Sequence, residues 1–357
     1  MPPGQNPYGF TPYGQPQGWG SQRGSAPHPY GQNPYGRPGL QPFGQPPRRP
    51  APRRSSPLGA LLKTGMVLGL LMVAGLVVSN LATGGSTTDS AYQNDNFQVP
   101  PPDTNPPAIP QPETYEEAEQ LLVANPFYEQ TVPAPVRCDA EPIDVSGASD
   151  RELETHFNEL MECLVRVWQP PVEAAGWQIV RPTVTVYGRE VTTRCGKSEV
   201  NAFYCGADQQ VYYSSLLDEA VPVVATDKWG ADVVMAHEFG HALQARTALL
   251  ISSQALGQQS GDEATELTFS RRLEVQADCL SGMFLRSVST SLDIQQSDVR
   301  GILDVYRAVG DDSVSGDASI VGNHGLARSR EYWGQTGLNS GDVGACNSYT
   351  AKANLVR

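Results

Sequence analysis

The sequence predicts an α+β domain over residues 113–357, mainly helical with a small sheet, behind a disordered N-terminal tail and a single transmembrane helix. Three observations carry this reading. Apolar residues recur at helical spacing in several long segments after residue 113, while residues 183–214 alternate as short strands. Everything before residue 113 has a composition that builds no globular core.

Residues 1–57 are dominated by Gly, Pro, Gln and Tyr, with a Pro-Tyr-Gly unit recurring at Tyr8, Tyr13, Tyr30 and Tyr35 and a Phe variant at Phe43. Such a segment has almost no aliphatic surface to offset its ordering entropy, so a disordered tail is expected. Residues 58–83 contain the apolar run Thr64–Ala82, nineteen residues without a charge. As a helix this run spans about 28 Å, close to the bilayer core. Arg48, Arg49, Arg53, Arg54 and Lys63 precede it, and no Lys or Arg follows until Arg137. The positive-inside rule then puts the tail in the cytoplasm and the rest outside the cell membrane. A leader cleaved near Ala82 or Gly84 is the alternative, but it would carry an unusually long basic region before the apolar run. Residues 84–112, rich in Ser, Thr, Asn and Pro, read as a semi-extended extracellular linker.

Charge follows the same division. Seven of the 25 basic residues and none of the 38 acidic ones precede residue 64, leaving 18 against 38, or −20, for the remainder. An acidic surface repels phosphates and argues against nucleic acid as a partner.

Within the domain, a first helix is expected over Tyr115–Asn125, stopped by Pro126. Ser149 and Glu152 form a capping box that opens a helix with Leu153, Phe157, Leu160, Met161, Leu164 and Trp168 on one face, ended by Pro170-Pro171. His156 falls on this helix and reads as structural. Thr183–Tyr187 alternates as a strand, and Glu199–Tyr204 pairs with Val211–Ser214. Further helices are expected over Ala231–Leu250, Glu266–Val288 and Ser297–Val309, with a polar loop at Gly257–Gly261. The Asp-rich stretch Gly310–Gly322 matches no calcium loop and reads as a solvated turn.

All six cysteines follow the apolar run, which suggests three disulfides in an oxidising compartment. The connectivity is open. Cys195–Cys205 is favoured because the spacing suits a hairpin, and Cys279–Cys346 would tie a helix to the C-terminal segment, leaving Cys138–Cys163.

The chemistry lies in Met235–Leu243. His237 and His241 stand four residues apart and share one helix face, so both imidazoles can grip one Zn²⁺, with Glu238 beside it as a base. Glu274 and Asp278, again four apart, supply the complement. One large group of zinc hydrolases takes its third ligand from a glutamate on a second helix, with a carboxylate one turn on that orients a ligand histidine. Glu274 fits the first role and Asp278 the second. Three ligands and one open position make a catalytic site, whereas structural zinc is usually closed by four.

These motifs, with Phe203–Tyr213, His324-Gly325, Trp333–Gly337, Gly341-Asp342 and Cys346, resemble the bacterial neutral zinc metallopeptidase family over roughly residues 185–350. The resemblance implies a zincin-like fold and peptide-bond hydrolysis of a peptide or protein substrate. It implies Zn²⁺ held by His237, His241 and Glu274, with Glu238 as general base. His324 is the candidate stabiliser of the oxyanion, followed by Arg328 and Arg330. In such a fold a strand before the metal helix lines the cleft, and Gln210–Ser214 is expected in that place. The competing expectation is a non-catalytic module, stabilised by zinc and disulfides, that binds cell-envelope proteins. A purely structural site has no need of Glu238.

Overall fold

The structure, a computed structural model, describes residues 92–320 and 322–357. The expected tail and the apolar run Thr64–Ala82 lie outside the described residues. Among the described residues no helix is long and apolar enough to cross a membrane.

Helix α1 (Tyr115–Ala124) begins at Thr114, whose hydroxyl accepts the Glu117 N–H at 3.1 Å, and stops before Pro126. Helix α2 (Asp150–Ala174) opens with the Ser149/Glu152 capping box and buries Leu153, Phe157, Leu160, Leu164 and Trp168. Pro170-Pro171 does not end it. The helix continues to Ala174 with both prolines inside. Pro170 has no N–H to donate to the Arg166 carbonyl one turn back. The Asn94 side-chain amide fills that place, donating to Arg166 O at 2.7 Å.

Five strands follow: β1 (Val184–Tyr187), β2 (Val191–Thr193), β3 (Gly196–Ser198), β4 (Ala202–Cys205) and β5 (Gln210–Ser214). Strands β2 and β3 make a hairpin, and the other three form a sheet in the order β1-β5-β4. β1 runs parallel to β5 and β4 antiparallel to it. The strand expected to line the cleft, Gln210–Ser214, is therefore the central one. Both its edges are already paired, so the outer edges belong to β1 and β4, and of the two it is β4, through Ala202, Phe203 and Tyr204, that lines the cleft.

Two short helices, α3 (Leu217–Ala220) and α4 (Val223–Thr226), lead into α5 (Gly230–Arg246). The sequence reading carried this helix to Leu250, but the backbone breaks at Ala248, which takes φ 62°, and restarts as α6 (Leu249–Ser260). Residues 257–260, read as loop, thus lie in α6. Leu249, Leu250 and Ala255 are buried there, and Ser253 donates to Phe269 O at 3.2 Å, so a polar sequence still packs as helix. Helix α7 (Glu263–Val288) is capped by Asp262, which accepts the Thr265 N–H at 2.9 Å. It is followed by α8 (Val299–Ala308), α9 (Asp311–Ser315) and α10 (Ala327–Asn339).

Helices α5 and α7 approach closely at Gly240, where an added Cβ would sit 3.0 Å from the Ala277 Cα. Gly282 and Gly337 do the same between α7 and α10, since a Cβ on either would run into the facing backbone. Helix α7 is buried from Leu273 through Leu285 and forms the centre of the domain.

Residues 92–112, read as a spacer, have almost no regular structure but lie against the domain. Phe97, Val99 and Ile109 pack on its core. Gln209 Nε2 and Arg246 Nη1 both donate to Pro107 O, at 2.8 and 3.1 Å. Proline-rich backbone has few donors of its own, so its carbonyls are satisfied from the domain side. All three expected disulfides are present: Cys138–Cys163, Cys195–Cys205 and Cys279–Cys346.

Candidate metal centre

Helix α5 carries His237, Glu238 and His241, and α7 carries Glu274 and Asp278; all five are buried. The four-residue spacings place each pair on one face, and the Gly240–Ala277 approach brings the two faces together. His237 Nε2 lies 3.4 Å from Glu274 Oε2, and His241 Nε2 lies 3.5 Å from Glu274 Oε1. One donor atom from each of the three residues falls within 4.8 Å of the others. The two rings stand edge to face with centroids 4.8 Å apart.

The second nitrogen of each imidazole is held. His237 Nδ1 meets Asp278 Oδ1 at 2.8 Å, so Asp278 orients His237. His241 Nδ1 meets Gln244 Oε1 at 2.8 Å. The Gln244 amide donates to Leu273 O and Gln276 Oε1, which fixes its oxygen as the acceptor toward His241. Both Nδ1 atoms therefore carry their protons outward, and both Nε2 atoms face Glu274. Gln244 was not recognised in the sequence, although its position three residues after His241 puts it on the same face.

Arg330, on α10, stands in the sequence reading only as a residue following His324; the structure instead sets it against Asp278 and Glu274. Its Nε and Nη2 donate to the two oxygens of Asp278, each at 2.8 Å, and its Nη1 lies 3.7 Å from Glu274 Oε2. Arg328, named with it, is exposed. No motif marks one arginine as buried, because the choice depends on how α10 docks.

Electrostatics separate the two histidines. Burial lowers His237, but the Asp278 carboxylate outweighs it and raises the ring to about 10. His241, whose partner is a neutral amide, follows burial down to about 4. Burial would raise Glu274, yet the His241 and His237 imidazoles hold it well below the usual carboxylate range. Burial pushes Glu238 up to about 7, against the opposing charge of His237. The Tyr204 N–H, on the open edge of β4, donates to Glu238 Oε2 at 2.8 Å.

His324 lines the same cavity as His237, Glu238, His241 and Glu274. Its Nδ1 lies 3.3 Å from Asp311 Oδ1, and Asp311 also accepts the Gly322 and Gly325 N–H groups at 2.8 Å each. Gly325 takes φ 88°, a turn that glycine suits. The stretch read as a solvated turn thus contains the short helix α9 and the carboxylate that braces the His324 loop. His156, read as structural, meets Asp232 at 2.7 Å in a buried pair joining α2 to the first turn of α5.

A family model described as "Putative neutral zinc metallopeptidase" matches residues 128–349. The chain belongs to this family. An uncharacterized protein of Escherichia coli (strain K12), YpfJ, is 31% identical over 196 residues, which cover 51% of this chain and 66% of YpfJ. The chain thus spans just under two thirds of that relative. Uncharacterized proteins Mb2605 of Mycobacterium bovis and Rv2575 of Mycobacterium tuberculosis are each 27% identical over 205 residues, 52% of this chain and 67% of theirs. No solved structure matches.

The zinc that this family implies can be tested against the donors present. Two imidazoles offering Nε2 and one carboxylate held ionised are a donor set that zinc accepts. The Asp278 and Gln244 contacts are the outer support that zinc-binding histidines ordinarily have. The residues fit the metal.

Proposed function

We propose that the protein is a zinc-dependent peptidase in which His237, His241 and Glu274 hold the metal and Glu238 is the general base. The observation that carries this is the joint placement of Glu238. It lies beside the three metal donors and is tied to the Tyr204 N–H on the one sheet edge that faces the cleft. An extended peptide adding to β4 would run past that carboxylate.

Zinc, when bound, supplies a Lewis acid that activates water and polarises the scissile carbonyl. Glu238 takes a proton from the attacking water and returns it to the leaving amine. The Tyr204 N–H fixes its carboxylate, and burial brings its affinity for a proton near neutral pH. His324, lining the same cavity, is the donor we assign to the oxyanion. Asp278, gripped by Arg330, positions His237 and touches no substrate.

We further propose that the domain is anchored in the cell membrane by Thr64–Ala82 and works outside the cytoplasm, on peptides, proteins or cell-envelope components. The basic cluster before that run, the absence of Lys and Arg until Arg137, and three disulfides support this orientation.

The test is Glu238→Gln in the full chain, assayed on a broad peptide mixture beside zinc content. Retained zinc with turnover reduced by about 10²–10⁴ supports the assignment. Undiminished hydrolysis removes Glu238 as the base, and activity that survives full chelation removes the metal from the reaction.

A further inference from the structure

The cavity that holds the metal donors does not end at them. It continues between α3, α4, α5 and α8, where Leu217, Val221, Val224, Val234, Val305 and Val309 line it. None of these side chains carries a polar atom. Tyr306, which also borders the cavity, turns its hydroxyl to Ser281 Oγ at 2.9 Å. A charged side chain placed in this lobe would lose its hydration and meet no opposite charge on these six residues, whereas an apolar one would leave water at no such cost.

The sheet gives the lobe a side. β4 pairs antiparallel with β5, and the Ser214 N–H donates to Asn201 O at 2.9 Å. The chain leaving β5 at Ser214 and entering α3 at Leu217 therefore lies at the Asn201 end of β4. Glu238 is fixed farther along, at Tyr204. Because Tyr204 directs its N–H off the sheet, strand alternation directs the backbone groups of Ala202 off the same edge. A peptide pairing with that edge in the more favourable antiparallel sense runs opposite to β4. Its C-terminal part then lies toward Asn201 and the apolar lobe, on the side of the amine that Glu238 protonates.

We propose that the cleft selects peptides by the residue that follows the scissile bond, taking an apolar side chain there into the lobe formed by Leu217, Val221, Val224, Val234, Val305 and Val309. This rests on the peptidase reading above and names its substrate class.

The experiment has two arms on the zinc-loaded full chain. In the first, a diverse peptide library is digested and the new N-terminal residues are identified by mass spectrometry. Leu, Ile, Val and Phe should exceed Asp, Glu and Lys at new N-termini by about tenfold or more. Val309→Phe, which fills the half-buried rim, should shift the preference toward Ala and Gly. Val234→Phe serves as an independent variant should the first melt early. Cleavage with no such preference, or with the preference on the residue before the bond, overturns the proposal while leaving the peptidase reading intact.

The second arm needs no turnover. A succinyl hydroxamate carrying an isobutyl branch is compared by calorimetry with the same compound carrying a carboxymethyl branch. The isobutyl compound should bind about tenfold or more tightly, and Val309→Phe should erase the difference. If no peptide is cleaved, the hydrolytic reading fails, and this arm alone decides the lobe: a retained difference upholds it and equal affinities overturn it.

Discussion

Arg330 holds both oxygens of Asp278, and Asp278 in turn holds the Nδ1 of His237. The three side chains come from three helices, α10, α7 and α5, and all are buried. The guanidinium leaves Asp278 ionised despite burial, and the ionised carboxylate fixes the proton on His237 Nδ1. A histidine so oriented presents Nε2 to Glu274 before any metal arrives.

Arg330→Met should leave Asp278 as a buried charge without its partner, costing about 3–5 kcal/mol of stability. Zinc affinity should fall with it, by about 10- to 100-fold. Asp278→Asn should lower affinity by a similar factor. Denaturant titration of the metal-free variants and competition for zinc with a chelator separate the two effects. Unchanged zinc affinity in both variants would reduce the chain of contacts to a structural role.

Zinc binding should release protons in an amount set by the two histidines. At pH 8 the metal-free His237 is protonated, with a pKa near 10, while His241, near 4, is already neutral. Metal binding must displace the His237 proton, so about one proton should leave per zinc bound. Calorimetry in buffers of different ionisation enthalpy measures the number, and release near zero would contradict the Asp278–His237 coupling.

Glu238 gives the metal-free protein a pH dependence of definite sign. Its folded pKa, about 7, lies above the usual 4.5, so folding favours the neutral carboxyl. The stabilising difference is complete below about pH 4.5 and is lost as pH rises through 7. At pH 8 the ionised group costs on the order of 3 kcal/mol relative to a neutral isostere. Metal-free Glu238→Gln should therefore melt higher than the parent at pH 8, and the gap should close near pH 4.5. A gap that does not change with pH would show that its source lies elsewhere.

Asn94 and Pro170 should couple. Asn94→Ala leaves the Arg166 carbonyl without its donor, at a cost of about 1–3 kcal/mol. In Asn94→Ala/Pro170→Ala, residue 170 regains an N–H that can bond Arg166 O within the helix. The double variant should therefore recover much of the loss, as a chemical-denaturation cycle would show. Strict additivity would mean that the Asn94 contact is not what satisfies the helix.

Local pattern was readable where the cause is local. The Ser149/Glu152 box, the stripe of Leu153, Phe157, Leu160, Leu164 and Trp168, and the halt of α1 before Pro126 depend on neighbouring residues alone. The joint facing of His237 with His241, and of Glu274 with Asp278, follows from helix periodicity in the same way. Misreadings arose where a remote group altered the local rule. Pro170-Pro171 reads locally as a helix end, but Asn94, more than seventy residues earlier, donates to the Arg166 carbonyl that Pro170 cannot serve. Gly257–Gly261 was read as loop because its polar residues gave no sign of the packing against α7.

The sequence by itself determined the candidate donor types, their spacing and the glutamate beside them, because helix geometry turns a four-residue interval into a shared face. Only the tertiary structure decided which strand offers its edge, which glutamine supports His241 and which arginine steadies Asp278. Those choices depend on how separate elements dock, through close approaches such as Gly240 on Ala277, and such docking is fixed by contacts between residues distant in the chain.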